Sequence, residues 1–150
     1  MILYKQEICD KDKGDCLRAC IATVLQIPIK LLPNFHSNHF FIDWMNLLDK
    51  FGIEIRYSQS CWIQGYWIAS VPSKNFKTKI ISASDLWQGK TGVKHSIVMK
   101  GQEVFFDPSP KKKYKVGENL LIQSKFKVEG GYTFIISDIE KTSNLFTATN

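Results

Sequence analysis

The chain has 150 residues, 44% of them hydrophobic, and a formal charge of +6. A chain of this length can bury about two thirds of the surface its unfolded form exposes, and ten Phe, five Tyr and four Trp exclude a disordered composition. No apolar run approaches the roughly 18 residues that cross a bilayer, and Met1 to Ile8 lacks the pattern of a secretion signal. A single cytoplasmic domain is therefore expected, with its four cysteines as thiols.

In chain order, the first helix begins at Asp15, whose carboxylate is placed to cap the first exposed amides. It carries Leu17, Cys20, Ile21, Val24 and Leu25 on one apolar face until Pro28 stops it. Its other side bears Cys16, Ala19 and Thr23, a stripe of small residues along which another element can approach closely. Residues 28–35 read as a turn of helix between two prolines. A second helix is predicted over 39–51, with Phe40, Trp44, Leu47, Leu48 and Phe51 inward and Gly52 as its stop.

From there the pattern turns to strands. Ile53, Ile55 and Tyr57 alternate with Glu54 and Arg56, and short β-like runs follow at 65–71, 79–83, 95–100, 103–107 and 132–136. Residues 141–150 read as a frayed tail. Helices first and an antiparallel sheet after them predict an α+β fold with the helices packed on the sheet. No repeat or linker divides residues 1–150.

The excess charge gathers in Lys111, Lys112, Lys113 and Lys115, read first as a solvated loop and second as a patch for an acidic protein or nucleic acid. His36, His39 and Asp43 lack the further Cys or His ligands of a zinc site, so no metal is expected. Phosphate-cradling glycine motifs are absent too, and no cofactor is expected.

The chemistry-bearing candidates are three. Gly14-Asp15-Cys16 puts a thiol at a helix start, where backbone amides and the helix dipole stabilise a thiolate. His95 opens one strand and Asp107 closes the next, with Gly101 between them. An odd-numbered turn centred on Gly101 would set His95 opposite Asp107, Ile97 opposite Phe105 and Met99 opposite Glu103. A two-residue turn would shift the register by one and put Asp107 on the face of Ser96. Each residue has an ordinary reading, as a buried thiol, a surface histidine and a turn-starting aspartate. Together they meet the needs of a thiol nucleophile: a base within reach and a third group that fixes the imidazole.

The stretch Gly14-Asp15-Cys16-Leu17-Arg18-Ala19-Cys20, with Pro28, Pro33-Asn34-Phe35, Val71-Pro72-Ser73, His95-Ser96-Ile97-Val98 and Phe106-Asp107-Pro108, resembles the small papain-like, C39-peptidase-like cysteine hydrolases of bacteriophages and bacteria. The resemblance covers about residues 6–110. It implies a papain-like fold, a triad of Cys16, His95 and Asp107, and an oxyanion-binding glutamine upstream of the cysteine, for which Gln6 is the one available. The distance from Gln6 to Cys16 implies a local insertion over 11–14, and Leu17 in place of the usual Gly points to the phage-type subgroup. The implied activity is thiol-dependent attack on a peptide, isopeptide or amide bond of a peptide or protein substrate, in the host cytoplasm if the chain is phage-encoded.

Asp15, Trp67 and Ser96 are the substrate-binding candidates. Trp62, Tyr66 and Trp67 flank Gly65 and read first as core, second as cleft. The rival expectation is a catalytically silent papain-like module that binds an acidic protein or nucleic acid.

Overall fold

The computed structural model describes residues 1–7, 15–35, 40–58, 64–72, 94–110, 114–120 and 130–147. Helix α1 spans Cys16–Leu25, a 3-10 turn Ile29–Leu31 and helix α2 Phe40–Phe51. Strands β1 (Ile53–Ser58), β2 (Tyr66–Pro72), β3 (Lys94–Lys100), β4 (Glu103–Phe106) and β5 (Gly130–Ile136) follow, and helix α3 covers Ile139–Thr147. The strands form one antiparallel sheet in the order β1-β5-β2-β3-β4, so the last strand of the chain lies between the first two. This is the α+β arrangement expected; the run expected at 79–83 lies outside the described residues.

Both faces of the sheet are covered. Leu17, Cys20 and Ile21 of α1 pack with Leu47 of α2 and with Ile53, Ile55, Ile68, Val98 and Phe106 of the sheet. The opposite face holds Trp67, Ala69, Val71, Ile97, Met99 and Val104, against Tyr114 and Leu120 from the chain after β4. Successive residues of β2 and β3 thus enter alternate cores, as the two-residue period of a strand dictates. On α2, Leu47 is buried and Trp44 and Phe51 pack on the core, but Leu48 is exposed.

Helix α1 does not use the cap its sequence suggests. The Asp15 side chain makes no capping bond; its Oδ1 instead accepts the Glu7 N–H at 3.0 Å. The helix ends ahead of Pro28, where Gln26 takes φ +54° and its side-chain amide exchanges two 2.8 Å hydrogen bonds with the backbone of Ile2. The element that lies along the stripe of small residues is the beginning of the chain: the Tyr4 N–H donates to Thr23 Oγ1 at 3.0 Å. Extended chain from Ile2 to Glu7 covers about 17 Å, and helix from Asp15 to Gln26 rises about 16 Å. The N-terminal segment therefore spans α1 from its last residue to its first.

Residues 139–147 form α3 rather than the fray that their Ser, Thr and Asn content suggests. Tertiary contacts override propensity here. The Ser137 and Asp138 amides donate to Gly52 O at 2.7 and 3.2 Å, Asp138 Oδ1 accepts the Lys141 N–H at 3.1 Å, and Thr142 Oγ1 donates to Phe51 O at 2.6 Å. Gly52 stops α2 at φ +63°, and Asp138 approaches so closely that a Cβ on Gly52 would lie 2.6 Å from it.

Candidate active site

The hairpin that carries His95 and Asp107 turns through two residues, with Lys100 opposite Glu103 and Met99 opposite Val104. Gly101 takes φ +58° and Gln102 a negative φ, the pattern of a type II′ turn. The pairings His95–Asp107, Ile97–Phe105 and Met99–Glu103 are accordingly not formed. A two-residue turn alone would leave Asp107 on the face of Ser96, but the register shifts between Val98 and Met99, so that Val98 pairs with Phe106 and Phe105 is left unopposed as a β-bulge. Phe105 and Phe106 both pack on the α1 side, Phe105 edge-on to Tyr66 at 4.9 Å. Two consecutive aromatic side chains gain burial in one core, and the irregularity this forces returns Asp107 to the face of His95.

His95 Nε2 lies 2.6 Å from Asp107 Oδ1. The Asp107 side chain is 1% exposed; Oδ1 also accepts the Ser109 N–H at 2.9 Å, and Oδ2 the Tyr114 N–H at 3.1 Å. The Tyr114 ring stacks on the imidazole, 6.4 Å between centroids. With Nε2 committed to Asp107, Nδ1 is the ring nitrogen left for Cys16.

Cys16, the first residue of α1 and half-buried, hydrogen-bonds His95 and is met by the backbone and hydroxyl of Ser96. Ser96 shares the α1 side of β3 with Val98, and His95 shares the other side with Ile97. The sulfur thus sits at the end of the sheet, where both faces converge.

Burial pushes the Cys16 thiol up, but the His95 hydrogen bond and charge, joined by Ser96, outweigh it and hold the thiol below its ordinary value. Burial likewise opposes the imidazolium, and the hydrogen bonds to Asp107 and Cys16 with their charges lift His95 to about 9. Asp107 is raised by burial and lowered more by His95 and by the Ser109 and Tyr114 amides, which leaves it below its ordinary value. These shifts all run toward a thiolate–imidazolium pair backed by a carboxylate. Cys20, one turn on and fully buried, is pushed well above the usual thiol range by burial and by the charges of Cys16 and Asp107, which keeps it inert.

The other predicted residues fall around this centre. Gln6 is half-buried, and its N–H donates to Pro108 O at 2.8 Å, beside Asp107. Asp15 and Trp67 are both 0% exposed and offer no surface to a substrate. Asp15 holds the Glu7 amide one residue before Cys16, and Trp67 belongs to the second core, its Nε1–H donating to Gly101 O at 2.7 Å. Ser96 contacts the sulfur itself.

Tyr132 had no signal in the sequence. It pairs with Tyr57 of β1 and Ile68 of β2, its ring 5.1 Å from that of Tyr57. Burial, then Tyr57 and Cys16, push its hydroxyl up to about 12, which puts it within electrostatic reach of the sulfur. Only the insertion of β5 into the middle of the sheet brings it there.

His36, His39, Cys9, Cys61, Trp62 and Lys111 to Lys113 lie outside the described residues. Asp43 accepts the Phe35 N–H at 2.9 Å. Among the described residues, no cluster of His, Cys, Asp and Glu is able to hold a metal, and no helix is long and apolar enough to cross a membrane. A scan against protein-family models and searches of curated proteins and of solved structures found no match to the chain.

Proposed function

We propose that the chain is a papain-like cysteine hydrolase or acyltransferase acting on a peptide, isopeptide or amide bond. Cys16 is the nucleophile, His95 the acid-base and Asp107 the residue that orients the imidazole. The observation that carries this reading is the unbroken path from Asp107 Oδ1 through the His95 ring, 2.6 Å away, to the Cys16 sulfur, in surroundings that favour the charged pair.

The Cys16 thiolate attacks the carbonyl carbon; the C–S bond forms and the carbonyl π electrons move to oxygen. The His95 Nδ1 proton passes to the leaving nitrogen as the C–N bond breaks, which leaves a thioester and a neutral imidazole. Water or another acceptor then gives its proton to His95 and displaces the sulfur. Asp107 holds the ring through Nε2 throughout and stabilises the imidazolium.

The first-turn amides of α1 are not taken by the Asp15 side chain. The Cys16 N–H therefore serves as one oxyanion donor, and the Gln6 side chain, from a segment bonded to the neighbours of both Cys16 and Asp107, as a second. Each such donor typically contributes about 3 kcal/mol to the transition state.

Two measurements test this. Iodoacetamide is expected to modify Cys16 faster than Cys9, Cys20 or Cys61; equal labelling of the four thiols would refute the reading. Incubation of wild type and Cys16→Ala with a bacterial lysate, followed by mass spectrometry of new termini and one-dalton deamidation shifts, is expected to show products with the wild type alone.

A further inference from the structure

Two adjacent backbone amides of the N-terminal segment end on opposite halves of this site. The Gln6 N–H donates to Pro108 O, one residue past Asp107, at 2.8 Å. The Glu7 N–H donates to Asp15 Oδ1, one residue before Cys16, at 3.0 Å. Successive amides of an extended chain point to opposite sides, so a single residue step is enough to reach the hairpin with one and the helix with the next. Asp15 is fully buried, and hydrogen bonds to a carboxylate are about twice as strong as neutral ones. The segment has its own anchors further along α1, at Thr23 and Gln26, while Met1, Ile2 and Leu3 are exposed. Polar contacts at fixed positions, with Tyr4 packed on the helix-side core, therefore hold it in place.

We propose that the Gln6-Glu7 backbone is a clasp that fixes the separation between Cys16 and the His95–Asp107 pair, with Asp15 as its positioning residue. The proposal rests on the triad reading above. Its leverage is geometric: a displacement of about 1 Å at a reacting pair costs on the order of a hundredfold in rate.

The test is the pH profile of Cys16 alkylation by iodoacetamide in the full-length chain, with peptide mapping to assign the label. Wild type is expected to react readily near about pH 6, well below an ordinary thiol; no reactivity there sinks the triad reading itself, before any variant is compared. Glu7→Pro deletes the donated N–H and Glu7→Ala keeps it.

Glu7→Pro is expected to slow alkylation about tenfold at about pH 6 and less than about threefold at about pH 9, where an ordinary thiol is ionised anyway. Glu7→Ala should overlay wild type. Asp15→Ala should match Glu7→Pro, whereas Asp15→Asn, which keeps the acceptor oxygen, should stay within about threefold of wild type at both pH values. Circular dichroism checks that each variant is folded, and if Glu7→Pro is not, the two Asp15 variants decide. A profile indistinguishable from wild type in the donor or acceptor deletion overturns the clasp. Equal slowing at both pH values, or loss of fold in both deletions, overturns it as well, because the contacts would then be general supports.

Discussion

His95 and Asp107 are twelve residues apart on one hairpin, and the covalent chain itself limits how far they can separate. Cys16 comes from a helix far upstream, held over the sheet by apolar packing and by polar contacts at its two ends. The His95–Asp107 half is thus local, and its alignment depends on one bulge. The Cys16 half is tertiary, and its alignment depends on how α1 sits. A fault in the hairpin should disturb the His95–Asp107 pair and leave Cys16 in place, whereas a fault at the start of α1 should move the sulfur and leave the pair.

Asp107→Asn strikes the local half at its carboxylate and leaves the bulge in place. The proposed turnover is expected to fall by about 10³ to 10⁴, the usual cost of losing the orienting carboxylate. The His95 titration, followed by NMR, should drop from about 9 toward its ordinary value. If Asp107→Asn keeps its turnover, the carboxylate does not orient the imidazole.

A contrasting cut is made at the corner where α3 joins α2, away from the triad. Gly52→Ala forces a side chain into φ +63° and against Asp138, and is expected to cost about 2 to 3 kcal/mol in urea denaturation. The Cys16 alkylation profile should be unchanged. A shifted profile would mean that the corner and the site unfold as one unit.

The smallest expected effect joins the two halves through their protons. The stability that His95 contributes is complete below its unfolded value of about 6.5 and is lost as pH rises through about 9. The Cys16 contribution has the opposite sign: it is complete above the unfolded thiol value of about 8.5 and is lost as pH falls through the lowered folded value. Where the two windows overlap the trends oppose each other, so urea midpoints should change little there and decline as pH rises past about 8.5, where only the His95 loss continues. Cys16→Ala should replace this flat stretch by a decline with rising pH, and a flat stretch that survives the substitution would assign it to other groups.

Both early helices, most of the strands and the three residues proposed for the candidate site were legible because each leaves a local trace: apolar periodicity, a glycine stop, a thiol at a helix start. What was not legible depends on contacts between distant segments. The hairpin register could be narrowed to two alternatives by parity, but neither contains the bulge, which arises because Phe105 and Phe106 both enter the helix-side core. Asp15 carries the signature of a cap and is instead recruited by Glu7. Helix α3 forms from weak helix formers because Gly52 and Phe51 supply acceptors across the molecule. The stripe of small residues on α1 did announce a close neighbour, though nothing local identified it as the first residues of the chain.

One consequence of the sheet order concerns synthesis. β5 leaves the ribosome after every other strand yet lies in the interior, between β1 and β2. Until it emerges, the nascent polypeptide holds β1 with α2 on one side and the β2-β3-β4 ladder on the other, and among the described residues no other strand joins them edge to edge. At translation rates of about 5–20 residues per second, about 2 to 6 seconds pass between the end of β4 and the end of β5, and the described sheet is incomplete throughout. A polypeptide truncated before Gly130 lacks the strand that joins its two parts.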